Sequence, residues 1–281
     1  MIQRKKKINN IELSHLKDSH LSIQFSLDGF SFCVFNKNTS TFTALYEYTF
    51  KELHHTPQKL ISNISSVFET EDILKQKFDS ISVVHINDLA SVVPKALFDE
   101  DKLEDYLKFN TKVFAHDYFV YDKIKSHDMV NVYIPYVNVN NFLLDHFEGF
   151  DYKHYSTVLI ENLLNIYKYS LVPHMFVHVM DTHFEVLVIA NKKLQLYNTF
   201  TYTTREDFIY YVLFVSEQLK MNPEKFELFL LGNVEKDDAL YAIAYQYIRN
   251  VKLLENRSKY NFNDTFSEID KRQHFILFNQ H

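Results

Sequence analysis

Apolar and polar residues alternate from Leu21 to Ser26, with Leu21, Ile23 and Phe25 set between Ser22, Gln24 and Ser26. That two-residue period predicts a half-buried strand. Asp28-Gly29 is a turn dipeptide, after which Phe30 to Phe35 resumes as strand. Asn36 to Ser40 predicts a second turn and Thr41 to Phe50 a third strand. Thr56-Pro57 then reads as an N-cap with proline at the first helical position. Leu60, Ile61, Ile64, Val67 and Phe68 follow at helical spacing, and Ile81 to Ile86 is a short apolar run suited to a buried strand.

The same order returns further along. Phe176 to Met180, Phe184 to Ala190 and Leu194 to Tyr202 read as strands, separated by turns at Asp181-Thr182-His183 and Asn191-Lys192-Lys193. Thr204 opens a helix, with Asp207 three residues on as a capping-box partner. Its inner face is Phe208, Tyr211, Val212, Val215 and Leu219, and Asn222-Pro223 ends it. Phe226 to Leu231 is the next strand, and Asp237 to Val251 a second amphipathic helix with Leu240, Ile243, Ala244, Tyr247 and Ile248 inward. A strand-strand-strand-helix-strand order run twice outlines two ribonuclease-H-like lobes, so an α/β fold with mixed sheets flanked by helices is expected. The lobes are assigned to residues 11–152 and 153–281. Residues 87–151 elaborate the first lobe, with strands at Tyr118–Ile124 and Met129–Pro135, and Lys153 to Tyr169 is a helix leading into the second. After Leu254 the pattern weakens: Asn256 to Thr265 reads as a loop and Phe275 to Phe278 as a short edge strand.

Composition narrows the function classes. Hydrophobic content of 46% with 23% charged residues belongs to a folded chain. The 26 Phe and 19 Tyr, with no Trp, mean that large rings must fill the cores. A net charge of −6 gives no pull toward nucleic acid or an anionic membrane. The one basic run, Arg4 to Lys7, reads as a solvated tail. No apolar run approaches the roughly 20 residues of a membrane span, and Asn9, Asn10 and Glu12 break any signal-peptide pattern, so membrane insertion is not expected and a cytoplasmic location is. Cys33 alone supports neither a disulfide nor a cysteine-based zinc site, and in a core strand it should be a small buried hydrophobe. Only three residues are glycine, Gly29, Gly149 and Gly232. Gly-rich phosphate loops and nucleophile elbows, which need several, are therefore excluded.

Two such lobes resemble the actin, sugar-kinase and Hsp70 superfamily, whose nucleotide is held by two phosphate hairpins of D-x-G type and a G-G adenosine loop. Leu27-Asp28-Gly29-Phe30-Ser31 stands at the first hairpin, with glycine beside the aspartate instead of two residues on. Met180-Asp181-Thr182-His183 stands at the second without glycine, and Leu230-Leu231-Gly232-Asn233 at the third with one. Backbone N–H groups wrap a phosphate only where no Cβ intrudes, and His183 and Phe184 would crowd that approach. Asp28, Gly29, Ser31, Asp181 and Gly232 are thus candidates for a vestigial nucleotide cleft. Asp28-Gly29 also reads as a plain hairpin turn.

The chain is similar, from about Leu13 to Leu254, to the bacterial family grouped as domain of unknown function 3822. Leu21-Ser22-Ile23, Leu27 to Phe32, and Val93-Pro94-Lys95-Ala96-Leu97-Phe98-Asp99 carry this in the first lobe. Asn198-Thr199-Phe200, Glu206 to Tyr211 and Leu230-Leu231-Gly232 carry it in the second. The resemblance implies an actin-like ATPase arrangement with no assigned activity. It extends, for fold, to the actin-like scaffold proteins of type IV pilus and type II secretion systems. A non-catalytic interaction or scaffold protein is expected, with an unidentified protein partner, no catalytic residue, no metal and no cofactor. The alternative is a nucleotide-binding switch or weak ATPase using ATP and Mg in the inter-lobe cleft.

Other chemistries find less. Asp28 and Asp88 stand where a ribonuclease-H-type nuclease would have acids, but no third acid joins them and no basic track exists. His174 and His178 share a strand face about 13 Å apart, too far for one zinc ion, and His54-His55 reads as a solvated loop. Of the rings on the helix opened by Thr204, Tyr211 and Phe214 are expected inward. Tyr210 and Tyr202 are left to face a partner.

Overall fold

The computed structural model describes residues 2–11, 13–51, 56–125, 127–255 and 259–280, the side chains of residues 13–15 excepted. In the first part of the chain β1 (Ile2–Asn9), β2 (Ser19–Phe25), β3 (Gly29–Asn36) and β4 (Thr41–Phe50) precede α1 (Pro57–Thr70) and β5 (Ser80–His85). Thr56 caps α1 by accepting from the Lys59 amide at 3.3 Å, and Leu60, Ile64, Val67 and Phe68 are its buried face. Then come β6 (Ala90–Pro94), α2 (Leu103–Leu107), β7 (Val120–Lys123), β8 (Met129–Tyr133), α3 (Val137–His146), β9 (Asp151–His154) and α4 (Tyr155–Ile166). The main sheet runs β1-β4-β3-β2-β5-β9, with β2, β5 and β9 parallel and the meander β2-β3-β4 antiparallel. The elaboration at 87–151 holds its own sheet, β6-β8-β7, over a small core of Val93, Leu107, Val130, Val132 and Ile134. Strand β6 was not foreseen: Val93-Pro94 closes it at an edge, where a proline is tolerated.

The second part repeats the plan. β10 (His174–Val179), β11 (His183–Ala190) and β12 (Lys193–Thr201) precede α5 (Arg205–Gln218), β13 (Glu227–Gly232), α6 (Ala239–Tyr247) and β14 (Asn250–Leu253). The sheet order is β12-β11-β10-β13-β14, third-second-first-fourth-fifth, the order that β4-β3-β2-β5-β9 follows in the first sheet. Asn191 (φ 51°) and Lys192 (φ 64°) form the β11–β12 turn, both in the left-handed region that a two-residue type I′ hairpin requires. Thr204 and Asp207 form a reciprocal capping box at α5. Phe208, Val212 and Val215 of α5 and Ile243 and Ala244 of α6 cover Met175, Val177, Val179, Leu228 and Leu230. The expected helix from Asp237 to Val251 is shorter than its periodicity suggested. It ends at Tyr247, and Asn250–Leu253 pairs parallel with β13 as a fifth strand.

The chain forms two compact units, one of Met1–Leu159, Ser258–Phe266 and Ile276–His281, the other of Ile160–Arg257 and Ser267–Phe275. The C-terminal stretch thus divides between them, whereas a linear division at 152/153 assigns it wholly to the second lobe. β15 (Asn261–Phe262) pairs parallel with β4, and α7 (Glu268–Gln273) belongs to the second unit. Phe275 to Phe278 is not an edge strand. Leu277 and Phe278 lie in a helical turn and are buried with Ile8, Cys33, Phe35, Phe42, Leu45 and Phe266 on the second face of the first sheet. That second layer is why Ser22 is buried although the alternation points it away from the first core. Gln280 completes it, accepting from the Ser82 hydroxyl at 2.8 Å and donating to the Ile23 carbonyl at 3.2 Å.

The N-terminal basic run is strand, not tail. Ile2–Asn9 pairs antiparallel with β4, and Arg4 and Lys7 reach the buried Glu71 carboxylate at 3.3 and 3.0 Å. Tyr48 donates to the same carboxylate at 2.6 Å.

Candidate functional site

Ligands in open α/β sheets gather beyond the carboxyl ends of the parallel strands. In the first unit those ends are Phe25, His85 and His154. The turn after β2 carries Asp28. The Ser26 hydroxyl donates to its Oδ1 at 2.5 Å, and the Phe50 amide to its carbonyl at 2.7 Å. Gly29 begins β3, where a Cβ would lie 3.3 Å from the Tyr48 carbonyl oxygen, and Ser31 is buried on the same strand opposite Gln24. Burial raises the Tyr136 hydroxyl pKa, and the carboxylates of Asp88 and Asp28 raise it further. Both acids therefore act on the one hydroxyl.

Behind these lies a polar network that the sequence reading did not anticipate. The His85 Nδ1 accepts from the Tyr136 amide at 3.1 Å, which leaves Nε2–H to donate to the Asn140 carboxamide oxygen at 3.0 Å. His154 donates from Nε2 to the Asn87 carbonyl at 3.0 Å, and its Nδ1 accepts from the Ser156 hydroxyl at 2.7 Å. Burial holds both imidazoles down at about 3, so both are neutral. Asp122, on β7, accepts from the His154 amide at 2.9 Å, the Thr157 hydroxyl at 2.7 Å and the Tyr133 hydroxyl at 3.1 Å. Burial outweighs those three donors and pushes Asp122 up to about 6. His85 closes the short apolar run that begins at Ile81, whereas His154 follows Asp151-Tyr152-Lys153 and has no such local sign.

In the second unit the turn after β10 is closed by the Met180 amide on the His183 carbonyl at 2.9 Å and by the Tyr202 hydroxyl on the Met180 carbonyl at 2.8 Å. The Asp181 carboxylate accepts from the Asn233 side chain at 2.8 Å. Asn233 follows Gly232, so two of the candidate loops are tied together within this unit. Gly232 has φ +84°, and a Cβ there would lie 2.3 Å from the Val179 carbonyl oxygen and 3.1 Å from His178 Cδ2. His178 and Glu185 face each other across β10 and β11, with Nδ1 and Oε2 2.7 Å apart. His183 Nε2 lies 3.3 Å from the other oxygen of Glu185, which is fully buried. An imidazole–carboxylate–imidazole chain therefore occupies the second hairpin.

A family model described as "Protein of unknown function (DUF3822)" matches residues 8–251. The chain belongs to that family. No curated protein matches it. Among solved structures, a Bacteroides thetaiotaomicron protein with actin-like ATPase fold and unknown function is 24% identical, with a TM-score of 0.78 over 87% of this chain and 93% of that one. The PilM-PilN type IV pilus biogenesis complex matches at 9% identity and TM-score 0.60, over 92% of this chain and 96% of that one. Ethanolamine utilization protein EutJ from Carboxydothermus hydrogenoformans matches at 7% and 0.50, over 97% and 91%. The DUF3822 chain thus has the actin-like ATPase fold.

That fold implies ATP, and the residues present do not fit it. The second hairpin offers a buried carboxylate where a polyphosphate needs N–H donors, and its aspartate is already engaged by Asn233. At the first sheet the His85 and His154 imidazoles are neutral and hydrogen-bonded, and the Asp28 and Asp122 carboxylates already hold donors from this chain. Among the described residues, no three His, Cys, Asp or Glu side chains come together as a metal site. His174 and His178 have different partners on β10, and His54-His55 lies outside the described residues. Cys33 is buried, and burial pushes its thiol far up, which keeps it a hydrophobe. Of the α5 rings, Tyr210 is exposed as expected, but Phe214 is 42% exposed where it was expected inward, because Tyr211 takes the inner position and stacks on Phe200 at 4.7 Å. Tyr202 is turned inward by its hydrogen bond to Met180. No helix among the described residues is long and apolar enough to cross a membrane.

Proposed function

We propose that this DUF3822 protein is a cytoplasmic interaction or scaffold protein that keeps the actin-like ATPase fold and does not hydrolyse ATP through it. The observation that carries this reading is Glu185, buried between His178 and His183 behind the second turn. A carboxylate there repels the phosphates that the fold's ATPases hold at that turn. A protein of the same fold occurs in the PilM-PilN type IV pilus biogenesis complex, and that supports an unidentified protein as the partner here. The net charge of −6 argues against nucleic acid. One feature favours a second reading, a nucleotide- and Mg-binding switch: Asp28 and Asp88 follow the ends of β2 and β5, and both carboxylates raise the Tyr136 hydroxyl pKa.

Calorimetric titration with Mg-ATP, on the wild-type chain and on Asp28→Ala, separates the two. The first reading expects no heat of binding from either protein. Submillimolar binding that Asp28→Ala abolishes would overturn it and establish the switch.

A further inference from the structure

The amino-terminal ends of β10 and β13 hold a different constellation, at the opposite ends of the strands from the turns discussed above. His174 opens β10, Glu227 opens β13, and the two are paired in register. Ser170, in the segment leading into β10, places its hydroxyl oxygen 2.7 Å from His174 Nε2. His174 Nδ1 lies 3.2 Å from Glu227 Oε2, and the other Glu227 oxygen carries an ion pair with Lys252 of β14. The imidazole is buried, with Tyr167 and Phe229 at ring distances of 4.9 and 5.7 Å. All four polar residues line one groove of about 880 Å³, together with Tyr167 and Phe229.

A hydroxyl within hydrogen-bond reach of an imidazole, itself set against a carboxylate, is the arrangement that activates a serine. We propose that Ser170, His174 and Glu227 form a nucleophile–base–carboxylate relay that accepts activated carboxylic esters. In it the Ser170 oxygen attacks the ester carbonyl carbon while His174 Nε2 takes the hydroxyl proton. The carbon–oxygen bond to the leaving alcohol breaks, and His174 returns the proton to that oxygen. Water then attacks the acyl-serine, gives its proton to His174, and releases the carboxylic acid as Ser170 recovers its proton. Glu227, held by Lys252, lies 3.2 Å from the imidazole and balances its transient charge. Lys236 lines the same groove, has no ion-pair partner among the described residues, and is the cation available to the developing oxyanion. The apolar lining of Tyr167, Phe229 and Tyr241 fits esters with an aromatic or alkyl acyl group. This inference is independent of the fate of the ATP loops.

The test is covalent labelling of the full chain with a fluorophosphonate, which phosphonylates a nucleophilic serine and expels fluoride. Hydrolysis of p-nitrophenyl butyrate is followed in parallel. Peptide mass spectrometry is expected to place the label on Ser170, with Ser170→Ala abolishing it and ester turnover. His174→Gln should slow labelling on the order of 100-fold, the scale of general-base assistance. Glu227→Gln, at a partly exposed position, provides the comparison if His174→Gln fails to fold. A folded wild-type chain without label on Ser170 overturns the proposal. So does labelling at the wild-type rate in a folded variant of either partner, because that marks a merely accessible hydroxyl.

Discussion

Replacing Gly232 by alanine tests whether this glycine is required by the backbone around it. The new Cβ would stand 2.3 Å from the Val179 carbonyl oxygen and 3.0 Å from the Val179 nitrogen, both main-chain atoms. Val179 cannot retreat cheaply. It ends β10, which is hydrogen-bonded on both sides in its sheet, and its carbonyl accepts from the Asn233 amide at 2.8 Å. An L-residue at φ +84° costs about 1–2 kcal/mol, and overpacking against a fixed neighbour adds about 1–3 kcal/mol, so Gly232→Ala should lose about 2–5 kcal/mol. Gly149 is the internal control. Nothing lies within 4 Å of a Cβ there, and its φ is not positive. Gly149→Ala should therefore gain about 0.4–1 kcal/mol through the unfolded chain. Gly29→Ala, with the Tyr48 carbonyl at 3.3 Å, belongs between them at a loss of about 1 kcal/mol. Urea unfolding followed by far-UV circular dichroism is the assay, since the chain has no tryptophan to report by fluorescence. A Gly232→Ala protein as stable as Gly149→Ala would refute the steric argument.

Three more expectations concern buried ionisable groups. His85 and His154, held at about 3 against an ordinary 6.5, contribute stability that is complete above pH 6.5 and lost as pH falls toward 3, by about 1.4 kcal/mol per pH unit each; the urea midpoint should fall steeply from pH 7 to pH 5, and a flat profile contradicts their neutrality. Asp122 has the opposite sign. Raised from 3.8 to about 6, it contributes stability that is present below pH 3.8 and lost as pH rises through 6. Asp122→Asn, whose oxygen can keep the His154 and Thr157 bonds while its NH2 donates to the Tyr133 oxygen in reverse, should therefore gain on the wild type by up to about 3 kcal/mol between pH 4 and pH 7 before solvent screening is allowed for. Glu71→Ala removes the anchor of Arg4, Lys7 and Tyr48. Amide exchange over Ile2–Asn9 should accelerate at least tenfold while β2 and β3 stay protected, and unchanged exchange would show that backbone pairing alone holds β1.

The strands that alternate or run apolar were legible because their signal is local: Leu21 to Phe25, Phe184 to Ala190 and the Thr204–Asp207 cap each carry it within a few residues. Strand β1 was hidden because Arg4 to Lys7 looks solvated until Glu71, more than sixty residues on, supplies the counter-charge. Strand β14 was hidden for a different reason. Ile248 and Val251 continue the helical period of α6, and only the exposed edge of β13 turns the chain to strand. Asp28 and Asp181 lie in turns, Gly29 and Ser31 in β3 and Gly232 at the end of β13, but the groups that decide the chemistry around them did not show. His154 meets Asp122 across 32 residues and Asn87 across 67, and His85 meets Asn140 across 55. Separations of that size leave no periodicity to read.

The scarcity of glycine has a different meaning at each position. Ser40, Asn191, Lys192 and Lys220 all take positive φ without being glycine, so this chain does not reserve glycine for left-handed backbone. Gly232 must then be explained by space, and the Val179 carbonyl and the His178 ring provide the explanation within the second sheet. A residue that packing alone requires says nothing about an adenosine ring, so its presence at the adenosine position is no evidence of nucleotide. His183 is informative in the other direction. No backbone constraint demands an imidazole at the second turn, yet its ring and that of His178 enclose Glu185, so that turn is built around a carboxylate. The glycine at the adenosine position has a steric cause, and the residues that break the pattern at the second turn form an interacting set. That asymmetry is what the proposed non-catalytic reading expects of a fold kept for its packing.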